Sequence, residues 1–159
     1  MSDSEQANAR TAVALATLFG VGRSPSAPGT AGSLVALPFA WLIAEFLGRS
    51  WLMFAAFVAL VVGTWACELY SSAKGEADPK ECVIDELAGQ WIVCAFAPVS
   101  LVGYALAFIL FRLFDIFKPW PINIVDAKVP GGLGIMADDV VAALMASVII
   151  AILGHVGLI

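Results

Sequence analysis

Two adjacent pairs of carboxylates stand at the mouths of long apolar runs. Asp85 and Glu86 lead into Leu87-Ala88-Gly89, and Asp138 and Asp139 lead into Val140-Val141-Ala142. Between them lies Phe111-Arg112-Leu113-Phe114-Asp115-Ile116-Phe117-Lys118-Pro119-Trp120-Pro121. An ionised carboxylate beside hydrocarbon is costly, so each such group calls for a partner or a task. Oxygen-only ligand sets suit Mg²⁺, which takes one or two carboxylates and keeps waters and substrate oxygens. Bare carboxylates would repel a phosphate, whereas a dication reverses the local field, with Arg23, Arg112 and Lys118 adding to it. Such an ion also polarises P–O bonds and activates water. The expected chemistry is therefore phosphate chemistry at head-group depth. It does not by itself separate a phosphatase from a transferase.

Each motif also has a plainer reading. Asp85, Glu86, Asp138 and Asp139 could simply favour the starts of helices, Asp138 as an N-cap. Neighbours on a helix point about 100° apart, so one acid of a pair can hold metal while the other orients water or ligand. Arg112, Asp115 and Lys118 could form an internal charge ladder along one helix. The loop Gly20-Val21-Gly22-Arg23-Ser24-Pro25-Ser26-Ala27-Pro28-Gly29-Thr30-Ala31-Gly32-Ser33 leads into an apolar helix. Its N–H groups and Arg23 are candidates for binding phosphate, and an ordinary loop with a Ser/Thr cap is the alternative. It lacks the Gly-Lys-Ser/Thr of a P-loop. Asp126 and Lys128 precede the Gly-rich turn Pro130-Gly131-Gly132-Leu133-Gly134, which permits close approach of backbone to ligand. Glu45 and Glu68 read as interfacial charges. His155, the one histidine, sits far from the acids in sequence, so Ser-His-Asp and Cys-His catalysis have no support. Cys67, Cys82 and Cys94 show no metal-ligand spacing and read as small apolar fillers.

The elements that must position these groups belong in a membrane. Of 159 residues 61% are hydrophobic and 13% charged, about half the charge of a soluble domain. Residues 24–44, 50–67, 87–111 and 140–159 carry no Asp, Glu, Lys or Arg. A spanning helix needs about 20 such residues. The first stretch contains Pro25, Pro28, Gly29 and Gly32, so its helix is expected only from Ala31. Pro98 can break 87–111 into a hairpin. The expected fold is an all-α, compact membrane bundle. About five membrane-embedded helices (roughly 31–48, 50–70, 84–97, 99–117 and 138–158) follow a short N-terminal helix within 11–22. Residues 1–10 read as a polar tail and 11–159 as one domain. Met1 and the polar, acidic residues after it do not resemble a cleavable signal peptide.

With this threading Arg10, Arg23, Lys74, Lys80, Arg112, Lys118 and Lys128 fall on one side and only Arg49 on the other. The positive-inside rule makes the crowded side cytoplasmic. The net charge of −5 argues against a nucleic-acid partner. Keeping 87–111 as one span would instead separate Asp85 and Glu86 from Arg112, Asp115 and Lys118.

The ordered blocks Ser24-Pro25-x-x-Pro28-Gly29-Thr30-x-Gly32-Ser33, Asp85-Glu86-x-x-Gly89, Phe111-Arg112-x-x-Asp115-x-x-Lys118-Pro119-Trp120-Pro121 and Gly131-Gly132-Leu133-Gly134-Ile135-Met136-x-Asp138-Asp139 resemble the phosphatidylglycerophosphatase A family. The resemblance covers roughly residues 20–143. It implies a Mg²⁺-dependent phosphatase of the bacterial inner membrane, acting on phosphatidylglycerophosphate with its site facing the cytoplasm. Asp85, Asp139 and Lys118 are then the catalytic candidates. Asp85, Glu86, Asp138 and Asp139 are the metal candidates. Arg23, Ser24, Thr30, Arg112 and Lys118 are the phosphate-binding candidates. Attack by water on the terminal phosphate is the expected route, with an aspartyl-phosphate as its rival. Ala143 departs from the family pattern, which often has Gly there. A small ion-coupled transporter and a lipid-phosphate transferase are the alternatives. The first gives no reason for the basic residues to gather on one side, and the second lacks the Asp-Gly-x-x-Ala-Arg block of CDP-alcohol phosphotransferases.

Overall fold

The computed structural model describes residues 3–159. The expected polar tail, 1–10, thus has its first two residues outside the described ones, and Asp3 already opens a helix. The described residues form seven α-helices and no strand: α1 Asp3–Ala16, α2 Pro28–Phe46, α3 Arg49–Lys74, α4 Ile84–Phe96, α5 Leu101–Phe117, α6 Ile122–Lys128 and α7 Gly131–His155. A short 3₁₀ turn, Val21–Arg23, links α1 to α2.

Side-chain size sorts the helices as a bilayer demands. The inner faces are built from small residues: Ala36, Ala40 and Ala44 on α2, Ala56, Gly63 and Ala66 on α3, and Ala142, Ala143 and Ala146 on α7 are buried. The large apolar side chains point outward instead, among them Phe39, Leu42, Phe54, Phe57, Val148 and Ile152. Lipid is as apolar as leucine, so helices gain little by hiding leucine and more by close backbone approach. α4 is the hub, packed against α2, α3, α5 and α7. Gly89 makes this possible: a Cβ there would stand 2.6 Å from the Phe111 ring. Trp91 ties the hub to α2 by donating to the Ala36 carbonyl (2.9 Å), and Tyr104 ties α5 to α2 by donating to the Ala40 carbonyl (3.3 Å).

Three helices, α2, α3 and α7, are long and apolar enough to cross a membrane. That is fewer than the five embedded helices expected, because α4 has 13 residues and α5 has 17. The break between them falls at residues 97–100, where Pro98 cannot continue a helix.

Two boundaries differ from expectation. α7 starts at Gly131 rather than near 138, so the Gly-rich segment is its first turn. The Glu68 carboxylate accepts a 2.6 Å hydrogen bond from the Gly132 N–H and supplies the cap that the local sequence lacks. Helix α6 was not expected. It follows Pro121, which sits at its N-cap, a position proline tolerates.

Candidate active site

Four helix ends meet at one mouth of the bundle. The first turn of α4 brings Asp85 and Glu86, the last turns of α5 bring Arg112 and Asp115, and the N-terminal part of α7 brings Asp138 and Asp139. Lys118 closes α5 in the left-handed conformation (φ 41°), and its side chain reaches α6 and α7. Gly29 and Thr30, in the first turn of α2, complete the wall. The cavity so enclosed measures about 660 Å³.

Its floor is a charge network. Glu86, buried, accepts from Ser33 Oγ at 2.9 Å and pairs with Arg112 Nη1. The same guanidinium holds Asp115 at 2.9 Å. Gly29 must lack a side chain, since a Cβ there would crowd Glu86 and lie 3.2 Å from Arg112 Nη2. On the other wall Lys118 Nζ bridges Asp126 (2.5 Å) and Asp138 (2.6 Å). Burial works against the charge of Lys118, but the hydrogen bonds to these two carboxylates outweigh it and hold the ammonium above the usual lysine range.

Carboxylate oxygens of Glu86, Asp115 and Asp139 all lie within 4.8 Å of one another. Such crowding of like charge needs a cation. Arg112 serves the first two, while Asp139 Oδ2 is buried with no hydrogen-bond partner. Asp138 Oδ1 and Arg112 Nε are likewise unpartnered. Buried polar atoms left without a partner are costly unless something binds them. A hard, oxygen-only donor set of this kind fits Mg²⁺.

The candidates from sequence distribute unevenly. Asp85, Glu86, Arg112, Lys118, Asp138, Asp139 and Thr30 line the one cavity. The trio near enough to share an ion is Glu86, Asp115 and Asp139 among the described residues; Asp85 and Asp138 line the cavity outside it. Asp85 Oδ1 accepts from the Glu86 N–H at 2.8 Å, a local cap. Arg23 and Ser24 do not line this cavity. Arg23 faces a separate groove, and Ser24 Oγ donates to the Ser26 carbonyl at 3.0 Å. The 3₁₀ turn directs this segment outward before α2 begins. Asp78, Lys80 and Lys128 also line the cavity, and Ser33 supports Glu86; none of them was among the site candidates drawn from sequence. Only Asp126 and Lys128, preceding the Gly-rich segment, carried a signal.

Comparison with known proteins identifies the family. The family model described as Phosphatidylglycerophosphatase A matches residues 14–154. A phosphatidylglycerophosphatase A of Escherichia coli is 38% identical over 142 residues, covering 89% of this chain and 82% of the relative. One of Haemophilus influenzae is 39% identical, covering 86% of this chain and 84% of the relative. A Bacteroides thetaiotaomicron protein, named provisionally as a phosphatidylinositol-3-phosphatase, is 39% identical, covering 88% and 91%. No solved structure matches the chain. With matches of this extent, the chain belongs to the phosphatidylglycerophosphatase A family.

Proposed function

We propose that the protein hydrolyses the terminal phosphate of phosphatidylglycerophosphate, giving phosphatidylglycerol and inorganic phosphate, and that it does so with Mg²⁺ at the cytoplasmic face of a bacterial inner membrane. Family membership makes the chain a phosphoric monoester hydrolase. The observation that carries the finer reading is the convergence of Glu86, Asp115 and Asp139 beside Arg112 and Lys118 in one cavity.

The division of labour follows from the contacts. Glu86, Asp115 and Asp139 would hold the ion, with Asp138 and Asp85 beside them. When bound, the ion supplies neutralisation of phosphate charge and a nucleophile at neutral pH. Arg112 is fixed by Glu86 and Asp115, yet keeps Nε unpartnered as a donor for a phosphate oxygen. Lys118, charged through neutral pH, offsets the charge on the oxygens of the transferred group. Asp85 and Asp139 would orient the water and take its proton. Lys80 and Lys128 make no ion pair among the described residues and favour an anionic substrate at the mouth. The shortness of α4 and α5 supports a cavity at head-group depth, where a lipid phosphate would enter without leaving the bilayer.

Phosphate release by the purified full chain from phosphatidylglycerophosphate in mixed micelles, with Mg²⁺ or EDTA, tests this reading. Release should require the metal and be lost in Asp139→Asn. Activity indifferent to both would defeat the metal assignment. The third relative's name favours one second reading, a phosphoinositide monoester. Release from phosphatidylinositol 3-phosphate but not phosphatidylglycerophosphate would shift the substrate and leave the site intact.

A further inference from the structure

Of the loop that sequence reasoning marked for anion binding, residues 27–30 line the catalytic cavity while Arg23 does not, yet this arginine is not idle. Arg23 and Arg10 line a second groove of about 470 Å³ that shares no lining residue with the first. Both arginines are exposed, and neither forms an ion pair among the described residues. The groove is a face of α1. Arg10, Val13, Ala14 and Thr17 recur at helical spacing on it, while Ala12 and Ala16 are buried in the cluster that includes Ala59, Ala66 and Cys67 of α3. At its end Phe19 is 83% exposed. Leu18 and Phe19 both take the left-handed conformation (φ 46° and 55°), and the Phe19 N–H donates to the Ala14 carbonyl at 2.6 Å. The backbone therefore holds an aromatic ring outward beside two free guanidinium groups.

We infer that this groove binds the head group of an anionic phospholipid, a site separate from the catalytic cavity. Two unpaired arginines in a chain of net charge −5 complement a phosphodiester, which accepts the guanidinium fork in two places. The apolar floor at Val13 and Ala14 and the exposed ring of Phe19 fit the glycerol and upper acyl chain. A free phosphate would leave that hydrocarbon unused, so a lipid is the occupant. Both arginines lie on the side that the charge distribution assigns to the cytoplasmic leaflet, where anionic lipids attract basic residues. Docking a lipid here would fix α1 on the membrane surface, one helix away from α4.

Phosphatidylserine is a suitable probe, being neither the proposed substrate nor its product. Native mass spectrometry of the full chain from micelles of mixed phosphatidylserine and phosphatidylcholine counts retained lipids. The wild type should retain one phosphatidylserine selectively. The Arg10→Gln/Arg23→Gln variant should bind it about tenfold more weakly. Arg10→Lys/Arg23→Lys should recover most of that loss, and circular dichroism should be unchanged in both. Equal retention of the two lipids by the wild type, or equal selectivity in wild type and Gln variant, overturns the site. Displacement of the lipid by millimolar inorganic phosphate overturns the lipid assignment, because a bare phosphate then suffices.

Discussion

At the residue scale, Glu86 and Arg112 show why charges persist beside so much hydrocarbon. Their side chains are 9% and 12% exposed, and they pair with each other, Ser33 also donating to Glu86 and Asp115 also pairing with Arg112. Removing one partner strands the other, so Arg112→Met should destabilise the protein by about 3 kcal/mol, read as a lowered unfolding temperature in detergent. Asp139 is the opposite case. Its Oδ2 has no partner to lose, and its neighbours are acids, so Asp139→Asn should leave the unfolding temperature unchanged or raise it. The same variant should lower kcat by at least about 100-fold. A change that stabilises and inactivates together marks a residue kept for chemistry; an active, stable variant would remove Asp139 from the machinery. Lys118 gives a pH prediction. Its folded-state pKa is raised, so its stabilising contribution is complete below the ordinary lysine value of about 10.4 and is lost only as pH rises through the still higher folded value. Phosphate release measured across pH 6 to 9 should therefore show no limb from this lysine, and a limb abolished by Lys118→Arg would contradict the assignment.

At the element scale, the position of α7 depends on a residue from another helix. Glu68 on α3 receives the Gly132 N–H, and Gly132 packs so closely on α3 that an added Cβ would stand 2.7 Å from the Glu68 nitrogen. Glu68→Ala should cost about 1 kcal/mol, as for loss of a helix cap, and should lower kcat more than it changes KM, because α7 carries Asp138 and Asp139. Glu68→Gln keeps an acceptor and should restore both; a Gln variant as impaired as Ala would show that charge rather than capping matters. This cap also explains what the sequence could not display. Asp85-Glu86 and Asp138-Asp139, ahead of apolar runs, and the i, i+3, i+6 ladder of Arg112, Asp115 and Lys118 were legible from spacing alone. Pro98 made the α4–α5 break legible too. Gly131-Gly132 read as a turn because the helix there is stabilised from sixty-four residues away, by a glutamate that looked interfacial. The places of Ser33 beside Glu86 and of Asp78 in the cavity were not legible for the same reason: they come from helices and loops that meet only in three dimensions. Arg23 misled in the other direction, since spacing places a residue in a loop but not on a side of it.

At the scale of the whole molecule, the same asymmetry organises packing, charge and chemistry. α3 has 26 residues, which at about 1.5 Å each spans roughly 39 Å, enough to separate Arg49 from Lys74 by a full bilayer. The cavity opens at the Lys74 end, where Lys80, Lys118 and Lys128 gather, and Arg49 stands nearly alone at the other. Ala143, inside the packed face of α7, is fully buried, so the methyl group at this departure from the family pattern is accommodated away from the charge network. If the cavity serves a lipid made on the cytoplasmic leaflet, the two ends must face different compartments. The native cysteines are buried, and only Cys82 touches the cavity, so a Cys82→Ser background isolates introduced thiols. In that background Lys128→Cys should react with a membrane-impermeant maleimide in inverted vesicles and not in spheroplasts. Arg49→Cys should do the reverse. Labelling of both from one side would put Arg49 and the cavity mouth in the same compartment, and the bundle could not then span the bilayer as its apolar faces require.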